Sequence, residues 1–170
     1  MPNRNLALGT VSFAICFAAW GLISAFAPSF QADLHLTAQM RAFLIAVPVL
    51  LGSLARIPMG ILTDRFGGRI VFTILFIVVA ISCAIVPLAA DFNQLVGFAF
   101  LLGLAGSSFA VGVGYVSRWF PPERQGTALG IFGLGNMGHS AAVFLGPVVA
   151  ATFGRDAVFY AAAALAAAWS

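Results

Sequence analysis

Long apolar stretches separated by short clusters of charge organise this sequence. No charged residue lies between Asn5 and Ala32, and similar stretches follow along the rest of the chain. A helix needs about 20 mostly apolar residues to cross the hydrocarbon core of a bilayer, so the pattern predicts membrane-spanning helices. We place them at about 6–26, 40–63, 70–89, 95–119 and 126–152, with an incomplete sixth at 157–170.

Prolines and glycines mark the predicted ends of these helices. Pro28 is expected to end the first helix, because a proline inside a helix lacks the N–H that the hydrogen-bond ladder needs. Pro121 and Pro122 are expected to end the fourth for the same reason, and Gly154 marks the turn before the sixth segment. The sixth segment is too short for a crossing, so we expect the sequence to be one half, or a fragment, of a larger protein.

Composition places the chain in a membrane. Hydrophobic residues make up 62% of the 170 residues and charged residues 8%, with a mean hydropathy of +1.05. Lipid cannot satisfy the backbone groups of an open sheet, and the alternating pattern of a membrane barrel is absent. The predicted fold class is an all-α polytopic membrane protein, with residues 1–170 forming a single transmembrane helical domain.

The positions of the basic residues, all of them arginines, predict the orientation in the membrane. Eight arginines and five acidic residues give a net charge of +3, which does not indicate a nucleic-acid-binding surface. Cytoplasmic loops of membrane proteins carry an excess of basic residues. One side of the predicted helices has Arg4, Arg65, Arg69, Arg118 and Arg124, and the other has Arg41 and Arg155. We therefore expect a multi-pass protein of the cytoplasmic membrane with a cytoplasmic N-terminus.

Groups that could support catalysis are scarce. Cys16 and Cys83 lie inside apolar stretches, which favours small buried side chains over a disulfide or a metal pair. The sequence has no cluster of His, Cys, Asp and Glu suited to hydrolysis, metal binding or redox chemistry. It therefore predicts no enzyme, no metal and no cofactor.

Arg56 lies in the middle of a predicted span, in LLGSLARIPMG. A charge at mid-bilayer costs about 2.5–3.5 kcal/mol on insertion scales, so such residues face a cavity, a partner or a pathway. Gly52 and Gly60 lie one turn before and after it and leave room for a helix or a cavity, so we expect Arg56 to face inward. No Asp or Glu lies within the predicted spans, and we therefore expect an anionic ligand. A planar, permanently charged guanidinium suits a small, flat oxyanion.

The segment GILTDRFGGR resembles the signature G-x-L-x-D-R-x-G-x-R of the major facilitator superfamily. The matching residues are Gly60, Leu62, Asp64, Arg65, Gly67 and Arg69. Gly68 stands where arginine is common in that family. The resemblance implies a conformational latch, in which Asp64 would pair with a helix terminus and a nearby arginine, with Arg118 as the candidate. The alternative is a charged loop that only follows the positive-inside rule.

The fourth and fifth predicted helices carry small residues four apart, a spacing that lets helices pack closely in lipid. These residues are Gly106, Ala110, Gly114, Gly138, Ala142 and Gly146. The segment FPPERQGTALGIFGLGNMG resembles the nitrate/nitrite porter branch of the superfamily, and the same order of features runs through the five complete helices. The resemblance implies the N-terminal six-helix half of a major facilitator fold, with the sixth helix incomplete.

The same resemblance implies roles for three residues. Arg56 would bind the substrate, Phe109 would be the aromatic residue that stacks on the anion, and Asn136 would lie beside the site. A flat, weakly hydrated anion can lie against an aromatic ring while a guanidinium holds its oxygens in plane. The alternatives are a packing role for Phe109 and an interhelical contact for Asn136.

His139 lies three residues beyond Asn136, on nearly the same helical face. A lone histidine in an apolar helix is typically packed or hydrogen-bonded and neutral. The competing hypothesis is that His139 carries protons during transport, although histidine is not a fixed feature of the family at this position.

The function that the resemblance implies is secondary transport of nitrate, nitrite or both by alternating access. In this family a C-terminal six-helix half supplies a second arginine across the anion. Two facing arginines repel until a monovalent anion lies between them, which favours nitrate/nitrite exchange. The alternatives are a major facilitator transporter for another organic anion or a drug, and a membrane subunit that binds an anion without moving it.

Overall fold

Residues 2–170, which the computed structural model describes, are almost entirely helical, and no strand lies among them. Five of their helical segments are long and apolar enough to cross a membrane. These spans are Pro2–Asp33, Ala38–Phe66, Gly68–Leu88, Phe92–Ser117 and Pro122–Phe153. The all-α polytopic fold predicted from hydropathy is therefore confirmed.

Interruptions divide the second, fourth and fifth spans into two α-helices each. The α-helices are α1 Pro2–Asp33, α2 Ala38–Leu54, α3 Arg56–Phe66, α4 Gly68–Ile85, α5 Phe92–Leu102, α6 Ser108–Ser117, α7 Pro122–Gly133, α8 Met137–Phe153 and α9 Arg155–Trp169. Short 3-10 segments cover Val86–Leu88, Gly103–Ser107 and Leu134–Asn136. Helix α9 corresponds to the predicted sixth segment and begins directly after Gly154.

The prediction that the first helix ends at Pro28 is wrong. Helix α1 continues through this exposed proline to Asp33. A proline removes a single hydrogen bond from the ladder, and membrane helices tolerate that loss. The chain turns at His35, whose φ of 51° is outside the helical region. Thr37 then caps α2 by accepting a hydrogen bond from the Met40 N–H at 3.2 Å.

The paired prolines begin the fifth span and do not end the fourth. Helix α6 ends at Ser117, and α7 begins at Pro122 with Pro121 as its cap residue. Proline suits the first turn of a helix, because its φ is already helical and its missing N–H would have no partner there. Gln125 Nε2 closes the connection by donating to the carbonyl oxygens of Ser117 and Phe120, both at 3.1 Å.

Glycines allow the first and fifth spans to pack backbone against backbone. Helix α1 runs beside α8, and a Cβ built on Gly138 would lie 2.0 Å from the carbonyl oxygen of Ala14. A Cβ built on Gly135 would lie 2.4 Å from Cδ1 of Phe13. No side chain fits between the two helices at these points, which is the close approach that small residues provide in lipid.

The second and fourth spans also pack through glycines. A Cβ on Gly52 would lie 2.9 Å from the carbonyl oxygen of Gly103 and 3.2 Å from Cα of Gly106. Further along, a Cβ on Gly114 would lie 2.9 Å from Cγ2 of Thr63. From the first contact to the second, the residue numbers increase in both spans. The second and fourth spans therefore run parallel.

Buried apolar side chains of the first, third and fourth spans form most of the core. They include Phe13, Ile23, Leu75, Val79, Leu102 and Val111. The second and fifth spans instead expose large apolar side chains such as Leu54, Ile57, Phe144 and Val148. Surfaces of this kind suit lipid or another apolar protein surface.

The close contact at Gly138 predicts that adding one methyl group there destabilises the fold. Gly138→Ala drives a Cβ against the Ala14 carbonyl, so we expect the free energy of unfolding in detergent to fall by about 1–3 kcal/mol. Gly130→Ala, in the same span, is the matched control, because no heavy atom lies within 4 Å of its added Cβ. The control is expected to be neutral or stabilising, since alanine favours helix over glycine by about 1 kcal/mol. Equal thermal midpoints for the two variants would contradict this packing.

Candidate functional site

Arg56 is the first residue of α3, directly after the interruption at Ala55. At 1.5 Å per residue, the ten residues to Phe66 place it about 15 Å from that end of the span. Within residues 2–170 its guanidinium forms no hydrogen bond or ion pair. The Arg56 side chain is exposed. The helices of residues 2–170 therefore do not enclose it by themselves. Groups that enclose the charge would have to come from outside these residues.

Phe109 and Arg56 lie at a similar level along the spans. The second span contacts Gly106 through Gly52, before Arg56, and contacts Gly114 through Thr63, after it. Arg56 is therefore level with residues between 106 and 114. The space next to Gly60, one turn after Arg56, is open, because no heavy atom lies within 4 Å of a Cβ built there.

Phe109 forms a cluster of three phenylalanine rings with Phe13 and Phe132. Its ring centroid lies 5.6 Å from that of Phe13 and 5.9 Å from that of Phe132, and these two lie 4.8 Å apart. Gly112 makes room for Phe132, since a Cβ there would lie 2.2 Å from the ring. Phe109 is nevertheless 38% exposed. Its ring therefore contacts two other rings while part of the residue stays accessible.

Asn136 ends the 3-10 segment Leu134–Asn136 and is exposed. Its Nδ2 donates a hydrogen bond to the carbonyl oxygen of Gly133 at 3.1 Å. The preceding residue, Gly135, packs on Phe13, so Asn136 lies next to the three phenylalanines. Sequence reasoning missed Phe132, a fully buried residue that precedes the 3-10 segment Leu134–Asn136.

An interruption of the helix lies next to each of these three residues. Arg56 follows the break at Ala55, Phe109 follows the 3-10 segment Gly103–Ser107, and Asn136 ends another such segment. No hydrogen bond or ion pair within residues 2–170 joins these three side chains to one another. Short 3-10 stretches and broken helices often mark functional sites in membrane proteins. In the sequence, the glycine-rich composition of the last two segments was the feature that could have indicated these interruptions.

His139 packs against the first span. Its ring centroid lies 5.3 Å from that of Trp20, and a Cβ on Gly21 would lie 3.1 Å from its Cδ2. No hydrogen bond joins the imidazole to another group among the described residues. This environment is compatible with the packed role and does not test proton transfer.

Asp64 and Arg118 meet at one end of the spans. Arg118 Nη2 lies 3.4 Å from Oδ1 of Asp64 and donates to the carbonyl oxygens of Asp64 at 2.9 Å and Thr63 at 3.1 Å. The predicted pair is therefore in contact, and it also bonds the C-terminal carbonyls of α3. Both side chains are largely exposed. The latch role remains a prediction.

Two glycines of the same loop, Gly67 and Gly68, are favoured at their positions for different structural reasons. Gly67 ends α3 with a φ of +84°, which side-chain-bearing residues rarely adopt. Gly68, where the family commonly has arginine, packs on Tyr115, since a Cβ there would lie 2.5 Å from that of Tyr115. Arg65 and Arg69 form no ion pair with residues 2–170.

The site residues lie outside two clefts near Arg4. These clefts have volumes of about 400 and 650 Å³, and neither is lined by Arg56, Phe109 or Asn136.

Within the described part of the chain, no three His, Cys, Asp or Glu residues are grouped to hold a metal. Cys16 and Cys83 are buried free thiols.

Known proteins resemble this chain over nearly its whole length. It is 41% identical over 149 residues to the probable nitrate/nitrite antiporter NarK1 of Thermus thermophilus, covering 88% of this chain and 34% of that protein. It is 36% identical over 157 residues to the nitrite extrusion protein of Bacillus subtilis strain 168, covering 91% and 40%. The probable nitrate transporter NarT of Staphylococcus aureus strain JH9 is 37% identical over 150 residues, covering 88% and 39%.

These relatives are longer proteins, and this chain spans between about a third and two fifths of their length. The family description Major Facilitator Superfamily matches residues 8–170. That range contains the Gly60 to Arg69 motif, most of the first apolar span and the other four in full, and it confirms the predicted resemblance. The chain belongs to the major facilitator superfamily.

Proposed function

We propose that this chain is the N-terminal half of a secondary transporter that exchanges nitrate and nitrite across the cytoplasmic membrane by alternating access. The single observation that carries this function is Arg56, an exposed charge in an apolar span with no counter-ion within residues 2–170. The names of the relatives, a nitrate/nitrite antiporter among them, support the choice of substrate. The distribution of arginines supports a cytoplasmic N-terminus.

Arg56 suits an inorganic oxyanion better than a larger solute. Its planar fork can donate two parallel hydrogen bonds to two oxygens of one anion, and it stays charged at every working pH. The cost of a lone charge near mid-bilayer, about 2.5–3.5 kcal/mol on insertion scales, is offset when a monovalent anion binds. No carboxylate of this chain competes with the anion at Arg56.

Phe109 and Asn136 complete the binding surface in this half. The free side of the Phe109 ring offers a flat surface for a flat anion, and Phe13 and Phe132 hold the ring in place. Asn136 contributes an amide at the same level, next to a helix interruption. Because all three side chains lie open on the unit, a second surface must close over the anion.

A C-terminal six-helix half with a second arginine is proposed as that surface. Two arginines facing each other repel when the site is empty and are bridged when a monovalent anion lies between them. Bound substrate would then favour closure of the halves, and the empty carrier would resist it. Such a carrier exchanges one anion for another and does not use the carboxylates of this chain, which lie at the ends of the helices or in the connections between them.

The contact of Arg118 with Asp64 is proposed as the latch between conformations. It joins the end of α3 to the end of α6 through one exposed ion pair and two bonds to carbonyl oxygens. An exposed pair is worth about 0–1 kcal/mol. That strength is enough to bias an equilibrium between two states and too little to prevent a transition.

Arg56→Lys tests the site in the complete transporter reconstituted in liposomes. Lysine keeps the charge but loses the paired donors, and hydrogen bonds to charged groups contribute about 1.5–3 kcal/mol, so the KM for nitrate is expected to rise about 10- to 100-fold. Arg124→Lys, at an exposed position without an ion pair, is the matched control and should keep its KM. Unchanged nitrate affinity in Arg56→Lys would rule out this site. A wild-type protein that moves organic anions but neither nitrate nor nitrite would rule out the function.

Asp64→Asn tests the latch separately from folding. Loss of the ion pair is expected to lower the exchange rate several-fold by shifting the balance of conformations, with a change in unfolding free energy of less than about 1 kcal/mol. Arg118→Gln should have a smaller effect in the Asp64→Asn background than in the wild type, because the ion pair is already lost there and only the two bonds to carbonyl oxygens remain to be removed. Glu123→Gln, an exposed acid without an ion pair, serves as the control. Additive effects of Asp64→Asn and Arg118→Gln would argue against a shared latch.

His139→Gln decides whether this residue carries protons. Glutamine keeps hydrogen-bonding groups but cannot titrate near neutral pH, so proton coupling through His139 predicts that the variant loses the pH dependence of nitrate uptake. Exchange of nitrate for nitrite should survive, because the two-arginine scheme uses no titratable group. A variant whose uptake follows pH as in the wild type would leave His139 with a packing role only.

A further inference from the structure

The indole N–H of Trp20 is a buried donor without a partner. Trp20 Nε1 forms no hydrogen bond among the described residues, although the atom is buried. Nearly all buried polar groups in proteins are hydrogen-bonded, and a lone one calls for a functional explanation. Trp169 provides the contrast, because its Nε1 donates to Oγ of Ser12 at 2.8 Å.

Trp20 lies where the first, second and fourth spans meet. A Cβ built on Gly106 would lie 3.6 Å from Trp20 Nε1 and 3.2 Å from Cα of Gly52. Gly106 belongs to the 3-10 segment Gly103–Ser107, and Gly52 lies one helical turn before Arg56. The unpartnered donor therefore lies next to the interruption of the fourth span. Along the second span, its level is about one helical turn before Arg56.

Neighbouring side chains do not use this donor. The closest rings are those of Phe17, with its centroid 5.2 Å away, and His139, 5.3 Å away. Phenylalanine accepts no ordinary hydrogen bond, and the imidazole does not accept one from Trp20 here. The Trp20 N–H therefore remains an unpaired neutral donor beside Gly106, where the second and fourth spans pack through glycines.

We propose that Trp20 Nε1–H donates a hydrogen bond to the transported oxyanion. A guanidinium fork engages two oxygens of nitrate and leaves a third, for which a neutral N–H is suited because it adds no charge that would trap the anion. The anion reaches Trp20 when the second and fourth spans separate at Gly52 and Gly106. Trp20 is thus a further substrate-binding residue, an assignment that rests on the proposed nitrate/nitrite transport.

Trp20→Phe in the complete transporter removes the N–H and keeps an aromatic ring. We expect its Kd and KM for nitrate to rise about tenfold, because it loses a hydrogen bond to a charged group, while its Tm without nitrate stays equal or increases. Trp169→Phe is the matched control. It loses a bond that is made in the structure, so its Tm should fall and its nitrate affinity should remain.

Indole ¹⁵N–¹H spectra give a readout that packing alone would not change. The Trp20 signal, assigned by its absence in Trp20→Phe, should move downfield as nitrate is added, whereas the Trp169 signal should stay in place. A Trp20 signal unmoved by saturating nitrate, or normal affinity in Trp20→Phe with a lowered Tm, would overturn the assignment and make the N–H structural. Failure of the wild type to bind nitrate at all would instead remove the proposed function.

Discussion

The charge of Arg56 constrains everything else in this fold. A guanidinium near the middle of an apolar span must be compensated, and the five acidic residues of the chain lie at the ends of the helices or in the connections between them. Arg118 and Arg155 engage three of these acids, Asp64, Asp33 and Asp156. Arg56 is left without a counter-ion within residues 2–170, and the proposed anion would compensate its charge only while bound.

Helix interruptions and close helix packing occur together around this charge. The spans that carry Arg56, Phe109 and Asn136 are the three that break into two helices, and glycines lie at or beside the breaks of the fourth and fifth spans. Glycine lowers the cost of leaving regular helix and also lets a neighbouring backbone approach. One residue type therefore explains both why the spans bend here and why they stay packed while bent.

Hydropathy was enough to predict the five spans, because apolar length is the property that the membrane selects. The Asp64 to Arg118 contact joins residues 54 positions apart, and only the motif resemblance could have indicated it. Pro28 misled the boundary prediction, since the rule for soluble helices ignores the compensation available in a long membrane helix. The interruptions and the exposure of Arg56 depend on tertiary packing, which local pattern does not contain.

The packing also indicates which motions this unit can make. Helices α1 and α8 touch backbone to backbone at Gly138, and at the far end of α1 the guanidinium of Arg155 pairs with Asp33, bonds Ser29 and lies 4.3 Å over the ring of Phe30. Sliding of the first span against the fifth would break these contacts, and the glycine contacts of the second span with the fourth restrict that pair in the same way. The proposed alternating access therefore corresponds to a rigid rocking of this unit against another surface, with local movement confined to the interrupted segments beside Arg56, Phe109 and Asn136.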